Sequence, residues 1–204
     1  MIAIWNFILT GGIVMFPLLI SSIIALVLIV EKTISLKKTK IIRPDIIDIL
    51  SHITNMEDVH LALSFCQKKK GPFANLVYTS LNSLNLESRE IKELIADQGR
   101  QEIRTLERGL PALETIATIT PILGLLGTVI GMIRVFKIIA IQGVGDPAIL
   151  SGGISEALIS TASGLAVALP TLVFYNYLSN KAENLVLDIE KHINELLRKI
   201  RDLK

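Results

Sequence analysis

The chain has 204 residues, half of them hydrophobic, and a mean hydropathy of +0.55 that soluble domains of this size rarely reach. Its net charge of only +2 and its aromatic content of 5% offer no strongly basic or base-stacking surface, so nucleic acid is not an expected partner. A single cysteine, Cys66, excludes an intrachain disulfide and a cysteine-cluster metal site, and we expect it to be a buried apolar residue. No cofactor or metal site is predicted.

Three segments contain no charged residue, and each reaches or exceeds the roughly 20 residues that a helix needs to cross a bilayer. They are residues 1–30, 115–133 and 157–180. The composition therefore predicts an all-α membrane protein with three transmembrane helices and with membrane lipid as a partner. We place the helices at residues 13–30, 112–141 and 156–180.

The first span follows a short outer segment, residues 1–12, in which Trp5 is a candidate interfacial anchor. Positive charges come after this span rather than before it. They are Lys32, Lys37, Lys38, Lys40 and Arg43. This order is the reverse of that in a cleaved signal peptide, and Lys and Arg tend to stay cytoplasmic, so it predicts a permanent span with a periplasmic N-terminus.

Residues 31–111 are expected to form a cytoplasmic helical region, because they are charged and show no alternating strand pattern. Pro44 is a candidate first residue of one short helix, and Asn55 is a candidate N-cap of the next. Gly71 and Pro72, which follow three lysines, predict the end of that second helix.

A long helix is predicted to begin near Glu87 and to continue without a break through the second span to about Ala140. It would be well over 60 Å long, at about 1.5 Å per residue. Residues 142–155 are rich in glycine, carry no Lys or Arg and contain the turn signal Asp146–Pro147, so we expect a periplasmic loop there.

The last segment, residues 181–204, is expected to continue the third span as a cytoplasmic helix with a coiled-coil-like apolar seam. The seam consists of Leu185, Ile189, Ile193, Leu196, Ile200 and Leu203. We expect this helix and the long helix of the second span to pack on each other or on copies of themselves.

Small residues share one face of the second span, where Gly124, Gly127 and Gly131 recur at steps of three and four and Thr128 lies at the edge. Small residues let membrane helices approach closely, so this spacing by itself favours a packing face.

The third span also has a small face, on which Ser160, Gly164 and Ala168 repeat every four residues beside Thr161. Lipid gains nothing from contact with hydroxyl groups, so this face is predicted to point toward protein or water.

Glu156 lies at the outer edge of the third span, where an ionisable group is costly unless it is paired or hydrated, and it is therefore a candidate functional residue. The alternative is an interfacial carboxylate near a helix N-terminus. Glu114, at the inner mouth of the second span, is a further candidate functional residue with the same alternative. Arg134 and Lys137 lie near the outer end of that span and would have to snorkel to the interface.

Two long motifs resemble those of the MotA/TolQ/ExbB family of proton channels. They are Thr-Pro-Ile-Leu-Gly-Leu-Leu-Gly-Thr-Val at residues 120–129 and Gly-Ile-Ser-Glu-Ala-Leu-Ile-Ser-Thr-Ala-Ser-Gly-Leu-Ala-Val-Ala-Leu-Pro at residues 153–170. Residues 12–31 and 71–74 are similar to further segments of ExbB proteins. The short chain with three spans resembles the ExbB and TolQ branches more than the larger, four-span flagellar branch.

The resemblance implies that Thr128 and Thr161 face a pore and that Glu156 is the functional glutamate of the third span. The remaining candidates are pore-mouth or packing residues: Glu114, Ser160, Gly124, Gly127, Gly131 and Gly164. It also implies a homopentameric ring in the bacterial inner membrane, around two helices of an ExbD/TolR-like single-span partner that carries a membrane aspartate. Such a complex would couple the proton motive force to TonB-dependent outer-membrane transport through a TonB-like energy transducer.

The composition of the spans agrees with a role for this partner, because His52, His60 and His192 all fall in predicted cytoplasmic segments. The partner would therefore have to supply the main proton carrier. Two alternatives remain open. A TolQ-like subunit of the Tol-Pal envelope system has similar span motifs, and a non-conducting scaffold would need the glycines but not the threonines. An intramembrane hydrolase using Ser163 would need a base within about 3 Å, which the spans lack, so we do not expect an enzyme.

Overall fold

A computed structural model describes residues 11–53, 55–69, 71–143 and 147–203. The described part is helical and contains no strand. Its helices are α1 Met15–Ser35, α2 Lys38–Ile41, α3 Pro44–Ser51, α4 Met56–Lys68, α5 Pro72–Asn82, α6 Ser88–Glu107, α7 Leu110–Gln142 and α8 Pro147–Leu203. The predicted outer segment with Trp5 lies outside the described residues, apart from its last two positions.

Three of the described helices are long and apolar enough to cross a membrane. The segments that meet this criterion are Met15–Ser35, Leu110–Ile141 and Leu150–Arg201. The predicted all-α membrane fold is thus confirmed, while the ring stays a prediction.

The chain divides into two compact units, which are described separately here. The apolar unit combines the described part of Met1–Glu31 with Gly109–Asn176. The charged unit combines Lys32–Arg108 with the described part of Tyr177–Lys204. Helix α8 contributes to both, so the predicted continuation of the third span into a C-terminal helix is confirmed.

The predicted uninterrupted helix from Glu87 to Ala140 is wrong, because the chain breaks between α6 and α7. Gly109 has a φ of +91°, in the left-handed region that glycine adopts without steric cost and that ends helices. Pro111 then lies in the first turn of α7, where its missing N–H group costs nothing. The second span therefore belongs to a helix of 33 residues, about 50 Å long, and not to one exceeding 60 Å.

The predicted loop at residues 142–155 is wrong for most of its length. Helix α7 extends to Gln142, and α8 already begins at Pro147, so the connection spans only residues 143–146. Proline is well suited to the first turn of a helix, which explains why Pro147 begins one here.

Local end signals place the helices of the charged unit as predicted. Pro44 begins α3, and α4 begins after Asn55, whose backbone N–H donates to the Asp58 carboxylate over 3.0 Å. The end of α4 at Lys68 and the start of α5 at Pro72 are also confirmed. Cys66 is buried as expected, and burial raises the pKa of its thiol to about 11.

The apolar seam of α8 is buried within the charged unit. Its described members are Leu185, Ile189, Ile193, Leu196 and Ile200. The same stretch of α8 meets other helices of this chain: the His192 ring lies 5.8 Å from that of Phe73, and Lys199 Nζ donates to the backbone oxygen of Ser51 over 2.9 Å. These contacts show that the stretch of α8 that carries the seam packs on α3 and α5 of this chain, while packing on copies of the chain stays a prediction.

Candidate functional site

Helices α7 and α8 approach each other closely in the apolar unit, and glycines permit that approach. A Cβ atom added to Gly124 would lie 3.0 Å from the backbone oxygen of Ser160, and one added to Gly164 would lie 3.0 Å from the Cα of Gly124. A Cβ atom on Gly131 would lie 3.0 Å from the backbone oxygen of Gly153. Residue numbers increase along α7 while those of the facing residues on α8 decrease. The two helices therefore run antiparallel, with their backbones in contact.

Ser160 fills the space that Gly127 leaves open. Ser160 is fully buried, and a Cβ atom on Gly127 would overlap its side chain. The same added atom would lie 3.6 Å from Val14, which immediately precedes α1. Within the described part of the chain, the Ser160 hydroxyl has no hydrogen-bond partner. The structure therefore places Ser160 and Gly127 in helix packing.

Thr161 and Thr128 are both partly buried, and their hydroxyl groups both donate to backbone carbonyls. Thr161 Oγ1 donates across the interface to the Gly124 oxygen over 3.1 Å, whereas Thr128 Oγ1 donates to Leu125 of its own helix over 2.6 Å. A hydroxyl that has committed its proton in this way can still accept a hydrogen bond through its oxygen. Both side chains therefore combine a fixed orientation with remaining acceptor capacity.

Glu156 forms an ion pair with Arg134 of α7, and the Arg134 guanidinium donates a hydrogen bond to the carboxylate. The Glu156 side chain is only 14% exposed, while that of Arg134 is 54% exposed. Arg134 is thus bonded within the chain, and its predicted position at the membrane interface stays a prediction. Such a pair removes much of the cost of an isolated charge at this depth.

Glu114 is not brought together with the other candidates. It is exposed near the start of α7, whereas Arg134 lies toward the other end of the same helix, about 30 Å away for an α-helix. The two glutamates thus mark opposite ends of the α7–α8 pair.

Residues 68–191, more than half of the chain, match the MotA/TolQ/ExbB proton channel family. The chain belongs to this family.

Individual relatives carry ExbB and TolQ names. The putative biopolymer transport protein ExbB-like 3 of Synechocystis sp. is 29% identical over 170 residues, which cover 82% of this chain and 81% of the relative. ExbB-like 1 of the same organism is 34% identical over 179 residues, covering 83% and 68%. The Tol-Pal system protein TolQ of Haemophilus influenzae is 37% identical over 95 residues, covering 47% and 42%.

Family membership makes this chain a membrane channel subunit of the MotA/TolQ/ExbB type. The matched region includes the second and third spans with Thr128, Glu156 and Thr161. Their roles in this chain remain predictions, and the names of the relatives do not separate a TonB-linked role from a Tol-Pal role.

Two residues of the site were missed by the sequence analysis as contributors. Thr120 is fully buried against α8, and a Cβ atom on Gly164 would lie 2.6 Å from its backbone oxygen. Its position four residues before Gly124, on the same helical face, was an available signal. Arg134 was expected only to reach the membrane interface, although Glu156, an opposite charge at the start of the third span, was an available partner.

Proposed function

We propose that the chain is an ExbB-like subunit of an inner-membrane proton channel and motor. In this proposal it acts with an ExbD/TolR-like single-span partner and couples the proton motive force to TonB-dependent outer-membrane transport. The N-terminus is periplasmic and the C-terminus cytoplasmic, as the distribution of Lys and Arg favours.

The hydrogen bonding of Thr128 and Thr161 carries this proposal. Both hydroxyl protons are bound by carbonyl groups, so the oxygens are oriented as acceptors in a largely apolar unit. Their natural counterpart is a donor such as water or a protonated carboxylic acid. The side chains can therefore hold a protonated aspartate of a partner helix, or the water that delivers its proton.

The proton carrier itself has to come from the partner. Residues 115–133 and 157–180 contain no Asp, Glu, His, Lys or Arg, and Glu156 is already paired with Arg134. A single membrane aspartate in an ExbD/TolR-like helix supplies the missing titratable group between the two ends.

In a homopentamer around two partner helices, protonation of the partner can be converted into movement of those helices. Large apolar side chains on α7 and α8, such as Ile122, Leu125, Leu158 and Val173, are exposed in the single chain and suit lipid or further copies. One charge that crosses 100 mV releases about 2.3 kcal/mol, enough to bias states that differ by a few kcal/mol. Since five subunits cannot all make the same contacts with two helices, each protonation moves the pair to the next equivalent contact, and a TonB-like transducer receives the work.

The test uses the full chain co-expressed with an ExbD-like partner and reconstituted in vesicles. Native mass spectrometry is expected to give about five copies with two partners, and the vesicles are expected to take up protons under a membrane potential. The double variant Thr128→Val/Thr161→Val should assemble but lose proton uptake. Thr118→Val removes an exposed hydroxyl on α7, also bonded to its own helix, and serves as the matched control. Full proton uptake by the double variant, or a monomer beside a folded partner, contradicts the proposal.

A TolQ-like role is the second candidate, favoured by the 37% identity to the Haemophilus TolQ protein over about half of the chain. It predicts that a TolR-like partner, and not an ExbD-like one, copurifies and that deletion weakens the cell envelope without stopping TonB-dependent uptake. A non-conducting scaffold instead predicts that the threonine variants have no effect on any function of the complex.

A further inference from the structure

The Glu156 carboxylate is enclosed from two sides. One oxygen, Oε2, accepts a hydrogen bond from the Arg134 guanidinium of α7. The other, Oε1, lies against the turn that precedes α1, where a Cβ atom added to Gly12 would overlap it. The carboxylate is thus the point at which the chain before α1, α7 and α8 meet.

The conformation of Gly12 suits this contact in two independent ways. Its φ of +73° is in the left-handed region, and its lack of a side chain leaves room for the carboxylate. Its backbone oxygen accepts a hydrogen bond from the Met15 N–H over 3.1 Å, which fixes the turn at the start of α1.

The opposite charges of Arg134 and Glu156 also favour a fixed position of the carboxylate. An unpaired carboxylate within a transmembrane helix costs several kcal/mol, whereas a hydrogen-bonded pair with Arg carries no net charge. The neighbouring cation, Lys137, is exposed one turn further along α7 and is not bonded to Glu156. Arg134 therefore satisfies this carboxylate specifically.

We propose that Arg134 is a positioning residue that holds the Glu156 carboxylate in a fixed orientation against the Gly12 turn. Through this pairing, Glu156 contributes to proton-coupled work by joining α7, α8 and the turn before α1 at one end of the apolar unit. The functional part of this inference rests on the proposed channel function, whereas the pairing itself does not.

A double-mutant cycle on the full chain with its partner tests the pairing of Arg134 with Glu156. The variants are Arg134→Gln, Glu156→Gln and the two combined, and the readouts are the melting temperature and proton uptake by vesicles. Arg134→Gln is expected to lower the melting temperature by about 2–4 °C or more, because it leaves an unpaired carboxylate. The combined variant should be no less stable than Arg134→Gln alone, and Arg134→Lys should recover part of the proton uptake that Arg134→Gln loses. Lys137→Gln removes the same charge at the same end of α7 and should change neither readout.

A second comparison tests the contact with Gly12. Gly12→Ala and Gly143→Ala impose similar backbone strain, since the φ values are +73° and +75°, but nothing lies within 4 Å of a Cβ atom on Gly143. Gly12→Ala should therefore cause the larger loss of stability and of proton uptake. Equal effects of these two variants, or melting-temperature losses that simply add in the Arg134→Gln/Glu156→Gln variant, overturn the inference. A wild-type complex that takes up no protons defeats the proposed function and the functional role of the pair, while the melting temperatures still decide the pairing.

Discussion

The Thr161 hydroxyl donates a hydrogen bond to the backbone carbonyl of Gly124 on the facing helix, over 3.1 Å. This bond joins the two sequence motifs that define the site, because Gly124 belongs to the glycine face of α7 and Thr161 to the small face of α8. A residue proposed to line a pore thus also fixes the interface behind it, so its substitution has to be tested for stability as well as for conduction.

Thr161→Val should lower the free energy of unfolding by about 0.6 kcal/mol, the average for interhelical hydrogen bonds in membranes. The methyl group preserves the volume, so the loss reports the hydrogen bond. Thr161→Ser retains the hydroxyl and is the control. Reversible unfolding in detergent measures the difference, and a Val variant as stable as the Ser variant would show that the bond does not contribute.

Gly164→Ala should destabilise the α7–α8 pair by about 1–3 kcal/mol, a typical cost of overpacking. Its Cβ atom would lie 2.6 Å from the Thr120 backbone oxygen, which cannot move without disturbing α7. Gly152→Ala, on the same helix with nothing within 4 Å of the added atom, is the matched control and should be neutral or slightly stabilising. Melting temperatures of the two variants decide, and equal values would contradict the close approach.

Several helix boundaries could be predicted because they depend on residues within a single turn. Pro44 begins α3, and the Asn55–Asp58 cap begins α4, whatever the rest of the chain does. The membrane helices followed from the length of the charge-free runs, which depends on the thickness of a bilayer and not on tertiary contacts.

The two errors in the helix boundaries have different physical causes. The break between α6 and α7 occurs at a local signal, because Gly109 has a φ of +91° and Pro111 follows it, although the apolar pattern continues across both residues. Gly152 and Gly153 suggested a loop, since glycine weakens an isolated helix. In the structure Gly153 lies inside α8, where a Cβ atom would collide with Val135 of α7, so close packing compensates for the poor helix propensity.

The candidate site could be predicted only in part, because some of its contacts depend on tertiary structure. Spacing along one helix indicated the glycine face of α7, but the Arg134–Glu156 pair depends on the register between two antiparallel helices. The register arises only when α7 and α8 pack together, so the periodicity within either helix alone does not predict it. The pore-facing role of Thr128 and Thr161 remains a prediction.

Lys199→Met should destabilise the charged unit by about 0.3–1 kcal/mol, the range for a cation at a helix C-terminus. Lys199 Nζ donates to the backbone oxygens of Leu50 and Ser51, over 3.1 Å and 2.9 Å, and so satisfies carbonyl groups at the end of α3 that lack partners within the helix. Lys191→Met, at an exposed position of α8, provides the control. Hydrogen exchange should increase at the end of α3 in the Lys199 variant only, and unchanged exchange there would contradict the capping role.

Cys66 should react slowly with iodoacetamide in the folded protein and rapidly after unfolding. Cys66 is 3% exposed, and burial raises the pKa of its thiol from an ordinary value of 9.0 to about 11, so very little thiolate exists at pH 8. The same shift makes stability depend on pH. Because the folded protein keeps the proton that the unfolded chain releases, the contribution is complete below about pH 9 and is lost as the pH rises through about 11. Cys66→Ala should lack this component of the alkaline loss, so identical pH profiles for the two proteins, or fast labelling of the native protein at pH 8, would exclude a buried neutral thiol.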